Sequence, residues 1–381
     1  MSVRTQSPTG VATPTTESTT TSTTISTPTT GGQTDVPLDM KIGQMLLVGF
    51  RGLQVNADHP IIQDIRERHL GGVVLFDYDV PSQSPVRNIA SPQQVTALVA
   101  ALQQAATIPL FVSVDQEGGK VARLNQQAGF PPTVSAQYLG RMNDTGLTRR
   151  SALTIAQTLH RLGINLNLAP VVDLNVYPNN PVIGALERSF SADPVIVTRQ
   201  ALAFIGAHHD QGVLCTLKHF PGHGSSTTDS HLGLVDVTKT WSHNELVPYA
   251  KLIQARVVDA IMTAHVFNAH LDPTYPATLS QPMISGLLRQ SMDYDGVVIS
   301  DDMQLGAITQ HYGFEAALQT AINAGVDILT LGNNLVYEEG IAARMITLIT
   351  HLVQDGKVSM ARIDQSFQRI QRLKQRLAKT S

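Results

Sequence analysis

One rhythm recurs along this chain and limits its fold more than any other feature: a helical pattern, a glycine, a short apolar run, then a polar loop. The junctions are His69-Leu70-Gly71-Gly72 before 73–76, Leu162-Gly163 before 164–168, and Gln211-Gly212 before 213–217. They continue with Asp295-Gly296 before 297–300 and Ala324-Gly325 before 326–331. A glycine just past a helix takes the left-handed cap conformation without steric cost, and a buried strand follows. Runs 45–50, 110–114 and 260–264 fit the same role, which makes about eight short strands. They are continuously apolar rather than alternating, as parallel strands covered on both faces should be.

Helical patterns lie between the runs. Segment 92–106 places Val95, Leu98, Val99 and Leu102 on one face, behind a Ser91 N-cap and Pro92 at the first helical position. Asp193-Pro194 opens another helix in the same way, running to 210, and segments 241–255, 280–289 and 314–323 continue the alternation. Segments 335–352 and 359–377 close the chain. The pattern predicts a single (β/α)8 barrel over residues 36–381, with its active site at the C-terminal ends of the strands. The alternative is a doubly wound open sheet. Against it, no G-x-G-x-x-G loop follows the first strand.

Composition bounds the rest. The 381 residues are 42% hydrophobic and 15% charged, enough apolar material for a full core. A formal net charge of -3 gives no electrostatic reason to expect nucleic acid, and no apolar stretch approaches a transmembrane span. The single cysteine, Cys215, lies inside an apolar run and reads as a buried, inert thiol. Residues 1–35 are mostly Thr, Ser, Pro and Gly, a composition that predicts a disordered tail. Such tethers often join a surface anchor to an exported domain. That favours an extracytoplasmic or cell-surface location over a cytoplasmic one, with a true export signal upstream.

Four strand ends carry polar clusters. The richest is Lys218-His219-Phe220-Pro221-Gly222-His223-Gly224-Ser225-Ser226-Thr227-Thr228-Asp229-Ser230-His231, directly after an apolar run. The third run ends in Asp115-Gln116-Glu117-Gly118-Gly119-Lys120-Val121-Ala122-Arg123, where two glycines permit a tight turn and Asp115 and Arg123 can point into a pocket. The fourth leads to Val171-Val172-Asp173-Leu174-Asn175 and on to Glu187-Arg188-Ser189-Phe190. The seventh ends in Asp301-Asp302. Adjacent side chains on an extended chain point oppositely, so one of these two should face the barrel axis and the other accept backbone N–H groups. A strand-end carboxylate and a His oriented by Asp229 would supply the two groups that acetal cleavage requires, a nucleophile and a separate proton donor. A carboxylate beside the ring favours its charged form, which suits a proton donor near neutral pH.

These residues resemble the β-N-acetylhexosaminidases of glycoside hydrolase family 3, the single-barrel bacterial enzymes that remove N-acetylglucosamine from cell-wall muropeptides. The resemblance spans roughly 38–375 and rests on Val114-Asp115-Gln116-Glu117-Gly118-Gly119, Ala169-Pro170-Val171-Val172-Asp173, Arg188-Ser189-Phe190, the Lys218 to Gly224 motif, Asp229-Ser230-His231 and Ser300-Asp301-Asp302-Met303. It implies an exo-acting, retaining, covalent mechanism with no metal and no cofactor. Asp301 would be the nucleophile, and His231 the acid/base with Asp229 as its partner. Asp115, Arg123, Arg188, Lys218 and His219 would grip the sugar. The implied substrate is an N-acetylglucosamine-containing glycan or muropeptide in peptidoglycan turnover; a monomer is the expected state of the chain. With His as acid/base, phosphorolysis can compete with hydrolysis. Another family 3 β-glycosidase is the nearest alternative. Two alternatives come from other classes: a metal-dependent amidohydrolase barrel using His219, His223, His231, His265 and Asp301, and a non-catalytic sugar-binding protein. The first lacks a His-x-His on its first strand, and the second has no use for both Asp301 and the Asp229–His231 pair.

Overall fold

The computed structural model describes residues 1–2, 36–228 and 233–377. The tail expected over 1–35 therefore lies almost wholly outside the described residues. Eight parallel strands form one sheet: β1 (Leu46–Gly49), β2 (Gly72–Leu75), β3 (Phe111–Val114), β4 (Leu166–Asn167), β5 (Leu214–Phe220), β6 (Ala260–Thr263), β7 (Val297–Ser300) and β8 (Leu329–Leu331). Neighbours follow in sequence, and β1 also pairs with β8, Leu46 opposite Leu329. A parallel bridge between Ile299 and Ile328 brings β7 to β8 and closes the ring. The predicted (β/α)8 barrel is the observed fold.

Why these strands sit where they do follows from burial. Each apolar run is covered inside by its neighbours across the barrel and outside by helices, and all seven residues of β5 are buried. Helix α1 (Leu38–Gln44) precedes β1, and α2 (Pro60–Glu67) leads into β2. Helix α3 (Pro92–Ala105) buries Val95, Leu98, Val99 and Leu102 as its periodicity predicts, and the Ser91 hydroxyl accepts from the Gln94 N–H at 3.2 Å. The Asp193 carboxylate caps the helix Pro194–His209 through the Val195 N–H at 2.8 Å. Cys215 is buried, and burial pushes its thiol well above the ordinary range. Among the described residues no helix is long and apolar enough to cross a membrane.

Two expectations need correction. Gly163, Gly212 and Gly325 do take positive φ, but Gly71 and Gly296 do not. At those junctions the left-handed residues are His69 and Asp293, a little earlier in the chain. Gly71 is required for space instead: a Cβ there would stand 2.2 Å from the Gln44 carbonyl oxygen. The final pair of helices also starts late, since the segment expected to be helical from 335 becomes helix only at Ile341–Gln354. Asn333 is responsible. Its side chain accepts from the Glu338 N–H at 2.8 Å and donates to the Glu338 carbonyl at 2.9 Å, so a side chain satisfies backbone groups that a helix would otherwise use. The last helix, Met360–Leu377, falls as expected.

Candidate active site

A pocket of about 500 Å³ opens at the C-terminal end of the strands. Of the residues singled out from sequence, Asp115, Arg123, Arg188, Lys218, His219 and Asp301 all line it. Asp229 and His231 lie outside the described residues.

Strand β5 supplies the floor. Lys218 is 2% exposed, and its ammonium donates to Asp115 Oδ1 at 2.6 Å and contacts Glu117 Oε1 at 2.7 Å. Arg188 completes the cluster with a bidentate pair to Glu117, Nε to Oε2 at 2.8 Å and Nη2 to Oε1 at 2.7 Å. Burial alone would raise the Glu117 pKa, but the charges of Arg188 and Lys218 outweigh it and hold the carboxyl well below its usual range. Burial likewise works against the Arg188 cation, and the Glu117 carboxylate more than offsets it.

His219 is oriented from behind. Its Nδ1 lies 2.7 Å from Asp173 Oδ2, and its Nε2 lies 3.3 Å from Arg188 Nη2. Arg188 can only donate, so these partners assign the ring proton to Nδ1 and leave Nε2 an acceptor. Asp173 also accepts from the His219 and His223 backbone N–H groups, the latter at 2.8 Å. Burial penalises the Asp173 carboxylate, yet the neighbouring His219 and His223 hold its pKa below the ordinary value. His223 lines the pocket too, and burial lowers its ring to about 4.

The stem of the His-rich loop is fixed as firmly. Asn180 Nδ2 donates to the carbonyls of His223 and Gly224 at 2.7 and 3.2 Å, and Glu245 Oε2 accepts from the Gly224 N–H at 3.1 Å. Trp241 Nε1 donates to the Pro221 carbonyl at 3.1 Å. Glycine is required here: a Cβ on Gly224 would stand 1.7 Å from the Leu174 carbonyl oxygen.

Arg123 comes from the hairpin Gln116–Gly118 and Val121–Ala122, whose turn uses Gly118 and Gly119 at φ 102° and 64°. Its guanidinium lies 3.6 Å from Asp77 and 4.0 Å from Asp115. At the end of β7 the expected division, one carboxylate facing the barrel axis and the other accepting backbone N–H groups, is not clean: each of the two does both. Asp302 Oδ1 accepts from the Gln304 and Gly332 N–H groups at 3.0 and 3.1 Å, whereas Asp301 Oδ1 takes the adjacent Asp302 N–H at 2.8 Å. Both carboxylates border the pocket.

Sequence reasoning missed Glu117 and Asp173 as individuals, although both stood inside its motifs. For Glu117 a signal existed, since residues 115 and 117 share a face of an extended segment. Among the described residues no group of three His, Cys, Asp or Glu side chains is arranged to hold a metal ion, and His231 of the alternative ligand set lies outside them. His265, one of its members, is occupied by Thr278 Oγ1 at 2.8 Å and the Asp302 carbonyl at 2.9 Å.

Residues 37–373 match the glycosyl hydrolase family 3 N-terminal domain. The chain belongs to glycosyl hydrolase family 3. It is 32% identical over 391 aligned residues to β-hexosaminidase A of Pseudoalteromonas piscicida, covering 92% of this chain and 63% of that one. Identity is 37% to a β-hexosaminidase of Tolumonas auensis, covering 76% and 83%. Among solved structures, a glycoside hydrolase family 3 β-N-acetylglucosaminidase from Paenibacillus superposes with a TM-score of 0.82 at 39% identity, covering 91% of this chain and 64% of that one. A β-N-acetylhexosaminidase from Beutenbergia cavernae does so at 0.79 and 30%, covering 90% and 99%. The chain thus spans under two thirds of some of these relatives and nearly the whole of others.

Proposed function

We propose that the chain is an exo-acting, retaining β-N-acetylhexosaminidase that removes terminal N-acetylglucosamine. The observation that carries this is the placement of Asp301 in one pocket with the Lys218–Asp115–Glu117–Arg188–His219 cluster. An oxygen of Asp301 attacks the anomeric carbon while the bond to the departing oxygen breaks and that oxygen takes a proton. Water then displaces Asp301 from the glycosyl-enzyme. The proton donor and later base is His231 with Asp229 as partner, an assignment carried by the sequence motif alone. The floor holds the sugar. An ammonium has three donors, so Lys218 retains one for a hydroxyl after Asp115 and Glu117, and Asp115 can accept from a sugar hydroxyl beside it. The names of the family 3 relatives support the acetamido sugar.

The test compares aryl N-acetyl-β-glucosaminide with aryl β-glucoside, with and without phosphate. The N-acetylated substrate should be turned over at least about a hundredfold faster, a difference of roughly 2.7 kcal/mol. Equal rates would defeat the assignment, and a sugar 1-phosphate product would mark phosphorolysis. The nature of the leaving group, muropeptide or neutral glycan, depends on the mouth of the pocket.

A further inference from the structure

We infer that the pocket mouth is a subsite for a neutral second pyranose, making uncharged N-acetylglucosamine oligosaccharides the substrates in preference to acidic muropeptides. This rests on the glycosidase reading above. The first support is depth. Polar floor residues such as Lys218 are almost fully buried, whereas Tyr78 and Val80, which line the same pocket, are 42% and 44% exposed. An exo-acting enzyme holds the terminal sugar at the closed end, so the leaving group lies at the exposed one. There Tyr78 and Val80 are joined by Leu186 and Leu335, an apolar edge around a polar floor.

This edge is built, not incidental. The Asn334 side chain accepts from the Val80 N–H at 3.2 Å and donates to the Tyr78 carbonyl at 3.0 Å, holding both residues from behind. Buried Arg87 in turn donates to Asn334 Oδ1 at 3.0 Å, to the Asn333 carbonyl at 2.8 Å and to Asp79 at 2.6 Å. The backbone that carries the half-exposed Tyr78 ring is thus held in place, so presenting that ring to a ligand costs less entropy than it would from an unsupported loop. The ring face carries negative charge density, which suits the C–H-bearing face of a pyranose.

Charge then chooses between two kinds of second sugar. A muramoyl unit brings a lactyl carboxylate or a peptide with its own carboxylates, and an N-acetylglucosamine unit brings none. Among the described residues, each cation lining the pocket already sits within 4.0 Å of a carboxylate: Lys120 with Glu187, Arg123 with Asp77 and Asp115, and the two floor cations with Glu117. An incoming carboxylate would find committed cations and nearby carboxylates, a like-charge arrangement that disfavours binding.

The experiment measures kcat/KM for three disaccharides with terminal N-acetylglucosamine, ending in N-acetylglucosamine, N-acetylmuramic acid or the methyl ester of that acid, beside methyl N-acetyl-β-glucosaminide. The neutral disaccharide should exceed the acidic one by about tenfold or more, and esterification should recover most of the loss. Equal or better use of the acid, or no recovery in the ester, overturns the inference. Tyr78→Ala and Asn334→Ala should each lower the ratio of neutral disaccharide to methyl glycoside, about tenfold for the former, while Tyr78→Phe keeps it. An unchanged ratio in Tyr78→Ala also overturns it. Failure of the unsubstituted protein to cleave the methyl and aryl glycosides would instead defeat the glycosidase reading itself, and the inference with it.

Discussion

The two ends of the barrel use the same residue types for opposite purposes. At the N-terminal end, Asp327 is fully buried and accepts from Arg289 at 2.6 Å, Arg362 at 3.0 Å, Ser366 at 2.9 Å and the Val298 N–H at 3.0 Å. Asp259 is held similarly by His209 at 2.8 Å, by the Cys215 N–H at 2.7 Å and by Arg376. Arg362 and Arg376 come from the last helix, which these carboxylates anchor to the barrel. At the other end the carboxylates also have cationic partners, but Asp115 and Arg123 remain partly open to solvent beside a cavity. A buried, saturated carboxylate makes structure, whereas one left facing space can do chemistry.

Substitutions at the two ends should therefore separate activity from stability. Asp301→Ala should lower kcat by about a thousandfold or more while leaving the denaturation midpoint nearly unmoved. A matching loss of stability in urea unfolding would erase the distinction. Asp327→Ala should do the reverse. It strands buried arginines and should cost about 3–5 kcal/mol in urea unfolding, with kcat/KM retained in the folded fraction.

Smaller but sharper is the response to pH, because each end holds a group that burial, the largest cause of its displaced pKa, pushes toward its neutral form. Burial lowers Lys374, near the N-terminal end, to about 7, although Gln44 Oε1, the Gly71 carbonyl and the face of Phe111 all favour its charged form. Between about 7 and the ordinary lysine value of 10.5 the unfolded chain binds more protons, so this group makes stability rise with pH. Burial raises Glu245, beneath the His-rich loop, to about 8. Between the ordinary value of 4.5 and about 8 the folded chain binds more protons, so this group makes stability fall as pH rises. Each slope is at most about 1.4 kcal/mol per pH unit. Lys374→Met should flatten the first slope and Glu245→Gln the second, read from melting temperatures across pH 5 to about 10. Slopes that persist in these variants would relocate the titrating groups.

Much of this was legible in sequence, for identifiable reasons. Strands buried on both faces write themselves as continuous apolar runs, so all eight were placed. The Asp301-Asp302 pair was legible as a strand-end carboxylate cluster, but alternation did not say which of the two faces the cavity, and both border it. Pairing is different. Glu117 meets Arg188 across 71 positions and Asp173 meets His219 across 46, and no local pattern encodes which strand ends become neighbours. The late start of the helix at Ile341 was hidden for another reason, since Asn333 and Asn334 bond backbone in ways their spacing does not announce.

The Asn334 clasp has a temporal consequence. It ties a loop following the second strand to one following the eighth, 254 and 256 positions apart, past the first strand that lies between them. During synthesis the front lip of the pocket must therefore wait until the eighth strand and the loop after it have emerged. A partly made chain can hold much of its sheet and still lack a finished entrance.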